Sequence, residues 1–399
     1  MPLRLPPLRT GHALDLLEGS AELFPALVQA IDAAVHEVWL ETYIFDFTGA
    51  SAGVAQALEQ AARRGVRVRV VVDGFGTPLL PADWQRRLRL AGVDCQVYAP
   101  VGSLGVLWPG SWRRLHRKLC VVDEAVAFCG GINILDDLHD PGHGLLQAPR
   151  LDFAVRVRGP LVGDVRQAIR QVWQRLRALH TLNPQALAEV LSSRRPQAPE
   201  DGPGSAGRVR AALMLRDNVG HRAHIERAYL RAIGRAQQEI LIANAYFVPG
   251  RRLRQALERA AQRGVKVTLL LQGRYEYFMQ FYASRPVYGS LLRAGVSIHE
   301  YSPSFLHAKV AVIDGRWATV GSSNLDPLSL LLAREANVVV EDEAFASQLR
   351  ARLTQAIADH GLVMDPNRYA RRPLTERVLE RLALGVMRLA LMIQGKKYL

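Results

Sequence analysis

Residues 57–74 read ALEQAARRGVRVRVVVDG, and residues 256–273 read ALERAAQRGVKVTLLLQG. The likeness extends well beyond this block. HEVWLETYIF (36–45) answers to QEILIANAYF (238–247), and AGVDCQVY (91–98) to AGVSIHEY (294–301). HRKLCVVDEAVAFCGGIN (116–133) answers to HAKVAVIDGRWATVGSSN (307–324). Blocks recurring in one order mean a duplicated unit. Each unit carries apolar residues at helical spacing, a Gly stop and a continuous apolar run. That is the pattern of a helix, its cap and a buried strand. The expected fold is α/β: two pseudo-symmetric domains, each a mixed, mostly parallel sheet flanked by helices.

Tyr98 and Tyr301 lie 203 residues apart but His116 and His307 only 191, so the first unit holds a 12-residue insertion between Tyr98 and His116. That stretch, roughly 99–114, places Leu104, Val106, Leu107, Trp108 and Trp112 beside Arg113 and Arg114. It reads either as a loop dipping into lipid headgroups or as one packed on its own domain. SSRRPQAPEDGPGSAG (192–207) has the composition of a linker. The expected domains are 1–190 and 208–370, joined by a linker at 191–207 and followed by a basic amphipathic helix at 371–399. In that helix Leu374, Val378, Leu382, Val386, Leu389 and Ile393 share a stripe, Arg377, Arg381 and Arg388 share another, and Lys396 and Lys397 close the end. It fits a membrane-surface helix, with docking on the enzyme as the alternative.

Charge sharpens the choice of partner. Lys+Arg number 51 against Asp+Glu 37, net +14, which suggests a polyanion: nucleic acid or an anionic membrane. Only five of those bases are lysine, Lys118, Lys266, Lys309, Lys396 and Lys397, so lysine is expected where a compact ammonium is needed. Three cysteines, Cys95, Cys120 and Cys129, give neither a disulfide framework nor a metal spacing, and a reducing compartment is expected. The chain shows no signal-peptide run and no uncharged apolar stretch of about 20 residues, so no membrane span is expected.

Each half contains H-x-K-x4-D-x6-G-x-x-N: His116, Lys118, Asp123, Gly130 and Asn133, then His307, Lys309, Asp314, Gly321 and Asn324. One copy would be weak evidence; two at equivalent places are strong. Residues i and i+2 of a strand share a face, so each His should project beside its Lys. Two such halves facing one cavity offer two imidazoles, two ammonium groups and two amides. That set suits a phosphodiester. Ammonium and amide donors hold the non-bridging oxygens, one imidazole attacks phosphorus, and the other moves the proton. No cofactor is needed, and no carboxylate or histidine cluster suggests a metal.

The paired motifs resemble the phospholipase D superfamily. Within it, phrases such as LRDNVGHRAHIERAYL, ANAYFVPG and HAKVAVIDGRWATVGSSNLDPLSL are most similar to bacterial cardiolipin synthases of the B type. The resemblance covers nearly the whole chain and implies one active site shared at the domain interface. It implies that His116 and His307 are nucleophile and acid/base, with His116 favoured as nucleophile. It gives Lys118, Lys309, Asn133 and Asn324 to phosphate, with Ser322 as a further hydroxyl donor. Asp123 and Asp314 would complete the catalytic motifs mainly by bracing them, and Asp152 and Glu335 would orient the histidines. Two departures stand out: Glu124 where the second half has Gly315, and Gly131 where it has Ser322.

The implied reaction moves a phosphatidyl group from one phosphatidylglycerol to another, releasing glycerol. The implied place is the bacterial inner membrane, peripherally on its cytoplasmic face. Phosphatidylglycerol and the membrane surface are the expected partners; nucleic acid is not, and oligomeric state is left open. The alternatives are a phospholipase D-type hydrolase of phospholipid or nucleic acid, and a non-enzymatic nucleic-acid-binding protein. The latter accounts for the charge but not for two complete motifs.

Overall fold

The computed structural model describes residues 5–101, 113–140, 142–181, 204–217, 220–275 and 278–393. The insertion's Leu104, Val106, Leu107, Trp108 and Trp112 lie outside the described residues, as do 191–203 of the linker and Lys396 and Lys397.

The first half builds strands β1 (Arg9–Glu18), β2 (Glu37–Thr42), β3 (Arg67–Asp73), β4 (Asp94–Tyr98), β5 (Leu119–Val122) and β6 (Val126–Gly130). A small hairpin, β7 (His139–Asp140) and β8 (Gly144–Leu145), precedes β9 (Phe153–Arg158). The second half builds β10 (Val209–Arg216), β11 (Glu239–Asn244), β12 (Lys266–Gln272), β13 (Ser297–Tyr301), β14 (Lys309–Ile313), β15 (Trp317–Gly321), β16 (Glu335–Glu341) and β17 (Gly361–Val363). The halves are not separate sheets. They join through β1 and β10 into one sheet of order β17-β13-β12-β11-β14-β15-β16-β10-β1-β9-β6-β5-β2-β3-β4. Read outward from that seam, the two halves repeat the same order, with β17 added at one edge.

The sheet is mixed, as expected, but among the described strands parallel ladders are confined to β2–β3–β4 and β11–β12–β13. The expectation of mostly parallel ladders fails for a topological reason. Parallel neighbours need a crossover helix, and the helices Ser51–Arg63 and Arg251–Gln262 supply one in each half. The motif strands are instead joined by three-residue turns, 123–125 and 314–316, which allow only antiparallel return.

The repeated RG stop works as the pattern predicts. Gly65 and Gly264 take φ of 90° and 89°. The next residues, Val66 and Val265, donate back to Ala61 and Ala260, closing each helix with a left-handed cap. Three cores result. Outer helices cover one face of each half, and a shared core joins both halves beneath the helices Leu161–Thr181 and Glu343–His360. Each of these two helices also touches the seam strand of the opposite half. The halves are therefore held together on both sides of the seam.

Candidate active site

The motif strands begin where the parallel strands end. Lys118 directly precedes β5, Lys309 opens β14, and both stand at the C-terminal edges of β2 and β11. The expectation of His and Lys on one strand is met only in part. His116 and His307 precede the strands and are held by a bridge from the other half. His116 N–H donates to Arg334 O at 3.0 Å, and His307 N–H to Leu151 O at 2.9 Å.

The side chains cross the seam in the same way. His116 Nδ1 lies 3.1 Å from the Glu335 carboxylate, and His307 Nδ1 lies 2.6 Å from Asp152 Oδ2. Each half thus supplies the carboxylate for the other half's histidine. All four groups are buried or nearly so. Lys118 and Lys309 donate to the carbonyls of His116 and His307, which fixes both ammonium groups beside the imidazoles. One charge cluster results: His307 senses Lys309, Lys118 and His116 together.

The two dyads are not equivalent. Burial lowers the pKa of both histidines, against the pull of Glu335 at His116 and with the push of Lys309 at His307, which falls well below the usual value. Burial pushes Asp152 up to about 7, with Lys309 opposing. Burial also works against Glu335, yet His116, Lys118 and Ser322 hold its pKa below the ordinary carboxylate value. The His116–Glu335 pair therefore carries an ionised carboxylate beside a neutral imidazole. The His307–Asp152 pair shares one proton near neutrality.

Ser322 explains part of this difference and corrects its expected role. Its hydroxyl donates to Glu335 Oε2 at 2.5 Å and is fully buried, so it serves the carboxylate and not a phosphate. Gly131, its counterpart, has no room for a side chain: a Cβ there would lie 2.3 Å from Asp152 Oδ1. The shorter Asp brings its carboxyl directly over Gly131; the longer Glu carries it past and leaves space for a hydroxyl.

Asn133 and Asn324 flank the site. Their carboxamide oxygens accept from the N–H of Ile44 and Tyr246, at 3.2 and 3.3 Å. Asp123 and Asp314 are not brought to the site; they sit at the far ends of β5 and β14. Asp123 accepts from Val35, His36 and Glu37 N–H, and Asp314 from Gln237, Gln238 and Glu239 N–H. Burial opposes the charge on Asp123, but its three donors hold its pKa low. Both aspartates take a left-handed conformation at the turn. Glu124, at φ 55°, does so where Gly315 does it without strain, and an ion pair to Arg166 at 2.6 Å ties it down.

Sequence reasoning missed three contributors. Asp73 Oδ2 accepts from Leu115 N–H at 2.7 Å and Gln272 Oε1 from Leu306 N–H at 2.9 Å, each fixing the residue before a catalytic-motif histidine. The signal was present: Asp73 and Gln272 occupy the same place in the repeated block, each before a Gly. Tyr43 is the third. Its ring meets His116 edge-on at 4.9 Å and lies 5.3 Å from the Lys118 ammonium, whereas the second half has Ala245 there. Cys120, behind Lys118, is buried with its thiol pushed up to about 12 by burial, which leaves it inert.

Known proteins match this chain along the same two blocks. The family described as cardiolipin synthase, PLD-like domain, matches residues 27–138 and 229–357. Cardiolipin synthase B of Shigella flexneri is 39% identical over 350 residues, 88% of this chain and 81% of that protein. Cardiolipin synthase B of Salmonella typhi is 39% identical over 375 residues, 93% of this chain and 87% of that protein. The crystal structure of phosphatidylserine synthase from Haemophilus influenzae Rd KW20 aligns with a TM-score of 0.69 over 98% of this chain and 95% of that one; at 12% identity this is a likeness of fold alone. Each matched block holds one complete motif, and on that evidence the chain belongs to the cardiolipin synthase family of phospholipase D-like proteins.

Proposed function

We propose that this protein is a phosphatidyltransferase that makes cardiolipin from two molecules of phosphatidylglycerol. The observation that carries this is the pair of crossed, inequivalent His–carboxylate dyads in a chain of this family. His116, neutral and backed by ionised Glu335, attacks phosphorus through Nε2. The phospho-imidazole that forms is cationic with Nδ1–H retained, and Glu335 offsets that charge. The P–O bond to the headgroup breaks as the proton shared by His307 and Asp152 passes to the leaving glycerol oxygen. The pair then takes a proton from the terminal hydroxyl of a second phosphatidylglycerol, whose oxygen displaces His116. Lys118, Lys309 and the amides of Asn133 and Asn324 stabilise the charge on the equatorial oxygens. One phosphodiester replaces another, so the transfer is nearly isoenergetic and calls for no nucleotide. The enzyme works peripherally at an anionic membrane surface, the cytoplasmic face of the bacterial inner membrane, where both substrates reside.

The test is a product assay. Purified protein given phosphatidylglycerol vesicles, with no added divalent metal or CDP-diacylglycerol, should yield cardiolipin and glycerol in equal amounts. Phosphatidic acid as the sole lipid product would overturn the transferase reading in favour of hydrolysis.

Lys118 adds a pH prediction. Burial drives its pKa down to about 7, the Lys309 charge adding to this and Glu335 opposing it. An amine holds phosphate only as ammonium, so binding is favoured below that pKa and lost above it. kcat/KM should fall above about pH 7 along a limb steeper than one proton, because the His307–Asp152 pair loses its proton over the same range. kcat should hold its plateau to higher pH, because bound phosphate pulls both groups' pKa values back up. Lys118→Arg keeps the charge and should reduce that limb to one proton while lowering the plateau. A limb of unchanged steepness in the variant would reassign the second proton to another group.

A further inference from the structure

We propose that the helix Leu374–Ile393 stays docked on the enzyme and turns its outer apolar stripe, with the apolar rim of the catalytic mouth, onto an anionic phospholipid bilayer. The inference rests on the function proposed above and names the surface that function would use.

The inner face of this helix is built for docking. Ala383 and Met387 are buried against Val248 and Ala283, with Tyr282, Leu331 and Leu384 around them. Glu380 is buried and paired to Arg372, whose guanidinium lies 3.3 Å from the Tyr369 ring. The outer face has no such cover. Leu374, Val378, Leu382, Val386, Leu389 and Met392 are each more than half exposed, at spacings of three and four residues. A helix that merely covered the enzyme would need only the first face.

Its position relates it to the site. Val248 follows the end of β11, and Leu331 lies just before Arg334 and Glu335. The C-terminal half of the helix therefore stands at the edge of the sheet where the histidines are. Other exposed apolar side chains collect at that edge. Phe75 and Leu79 follow β3, and Tyr275 follows β12. Leu145, 83% exposed, ends β8 of the β7–β8 hairpin, whose His143 ring packs 5.0 Å from Phe305, two residues before His307. A membrane pressed against this edge would put lipid headgroups at the mouth.

Charge decides the occupant. Arg377, Arg381 and Arg388 are exposed on the same helix, and the chain carries net +14. A second copy on this stripe would bring like charges together; an anionic lipid surface would neutralise them. Among the described residues no helix is long and apolar enough to cross a membrane, so contact lies in the interfacial plane.

The experiment uses the full chain in flotation with phosphatidylglycerol or phosphatidylcholine vesicles. The parent should bind phosphatidylglycerol vesicles preferentially. Leu382→Glu with Val386→Glu should weaken that binding at least tenfold, and Leu145→Glu should weaken it by a smaller factor. Arg377→Glu with Arg381→Glu should erase the preference for anionic vesicles. Turnover of short-chain phosphatidylglycerol dispersed as monomers should be unchanged in these variants. Parent-like vesicle binding by the Leu382/Val386 variant would overturn the proposal. So would a parent dimer that this variant splits, which would make the stripe a contact between copies. Loss of monomer turnover in the parent itself would instead defeat the proposed function and leave the binding result standing.

Discussion

Asp152→Asn and Glu335→Gln should each slow cardiolipin formation on the order of 10^3- to 10^4-fold, the scale seen when a histidine loses its carboxylate partner. The two variants should fail differently, because each carboxylate serves the histidine of the opposite half. Asp152→Asn disarms the proton-transfer pair with His307. A substrate whose leaving group departs readily as an anion, such as a p-nitrophenyl phosphatidyl ester, needs no proton and should recover release in this variant. Glu335→Gln disarms the nucleophile, and the same ester should recover little. His307→Ala should follow Asp152→Asn, and His116→Ala should follow Glu335→Gln. Variants within one dyad should be far from additive, since either loss already removes the unit's work. Release of p-nitrophenol in a single turnover checks all four. Equal rescue of Asp152→Asn and Glu335→Gln would sink the crossed assignment.

That crossing marks the limit of what the sequence could disclose. The repeat itself is local information: helix, Gly cap and apolar run recur in order, and the structure returns them as equivalent strands about a seam. The pairing of His116 with Glu335 spans 219 positions and depends on how two units face one another, which no spacing within either unit specifies. The direction of the ladders was likewise hidden. A buried strand reads as a continuous apolar run whichever way its neighbour points. Asp73 and Gln272 occupy aligned places, but a carboxylate and a carboxamide look unrelated until both are seen accepting a backbone N–H. Ser322 shows the converse error. A hydroxyl in a phosphate-binding turn reads as a phosphate donor, and only the reach of Glu335, one methylene longer than Asp152, turns it inward. The stripe on the helix Leu374–Ile393 was legible as a periodicity. That the helix docks by one face and leaves the stripe outside needed the packing.

Gly131→Ser is expected to be far more damaging than Ser322→Ala, although each only exchanges a small residue at equivalent positions. Ser322→Ala removes one donor from Glu335. A hydrogen bond to a charged group contributes about 1.5–3 kcal/mol, and Glu335 keeps His116 and Lys118 beside it, so the low end of that range, roughly tenfold in kcat, is expected, with the ionisation of Glu335 moved to higher pH. Gly131→Ser acts by collision. Its Cβ would stand 2.3 Å from Asp152 Oδ1, and the Phe153 strand behind leaves the carboxylate to move instead of the backbone. Displacing Asp152 from His307 removes the shared proton, and general acid–base help is worth about 10^2- to 10^4-fold. The loss should fall in that range and, as for Asp152→Asn, should be relieved by the p-nitrophenyl ester. The second half already pairs Ser with Glu, so Asp152→Glu should restore part of the activity to Gly131→Ser while harming the parent. Steady-state kinetics of the two single variants and the double variant, with melting temperatures to confirm folding, measure the coupling. A Gly131→Ser enzyme that keeps more than a tenth of the parent rate, or a double variant no better than the worse single, would show that the Gly–Asp and Ser–Glu pairs are not matched sets.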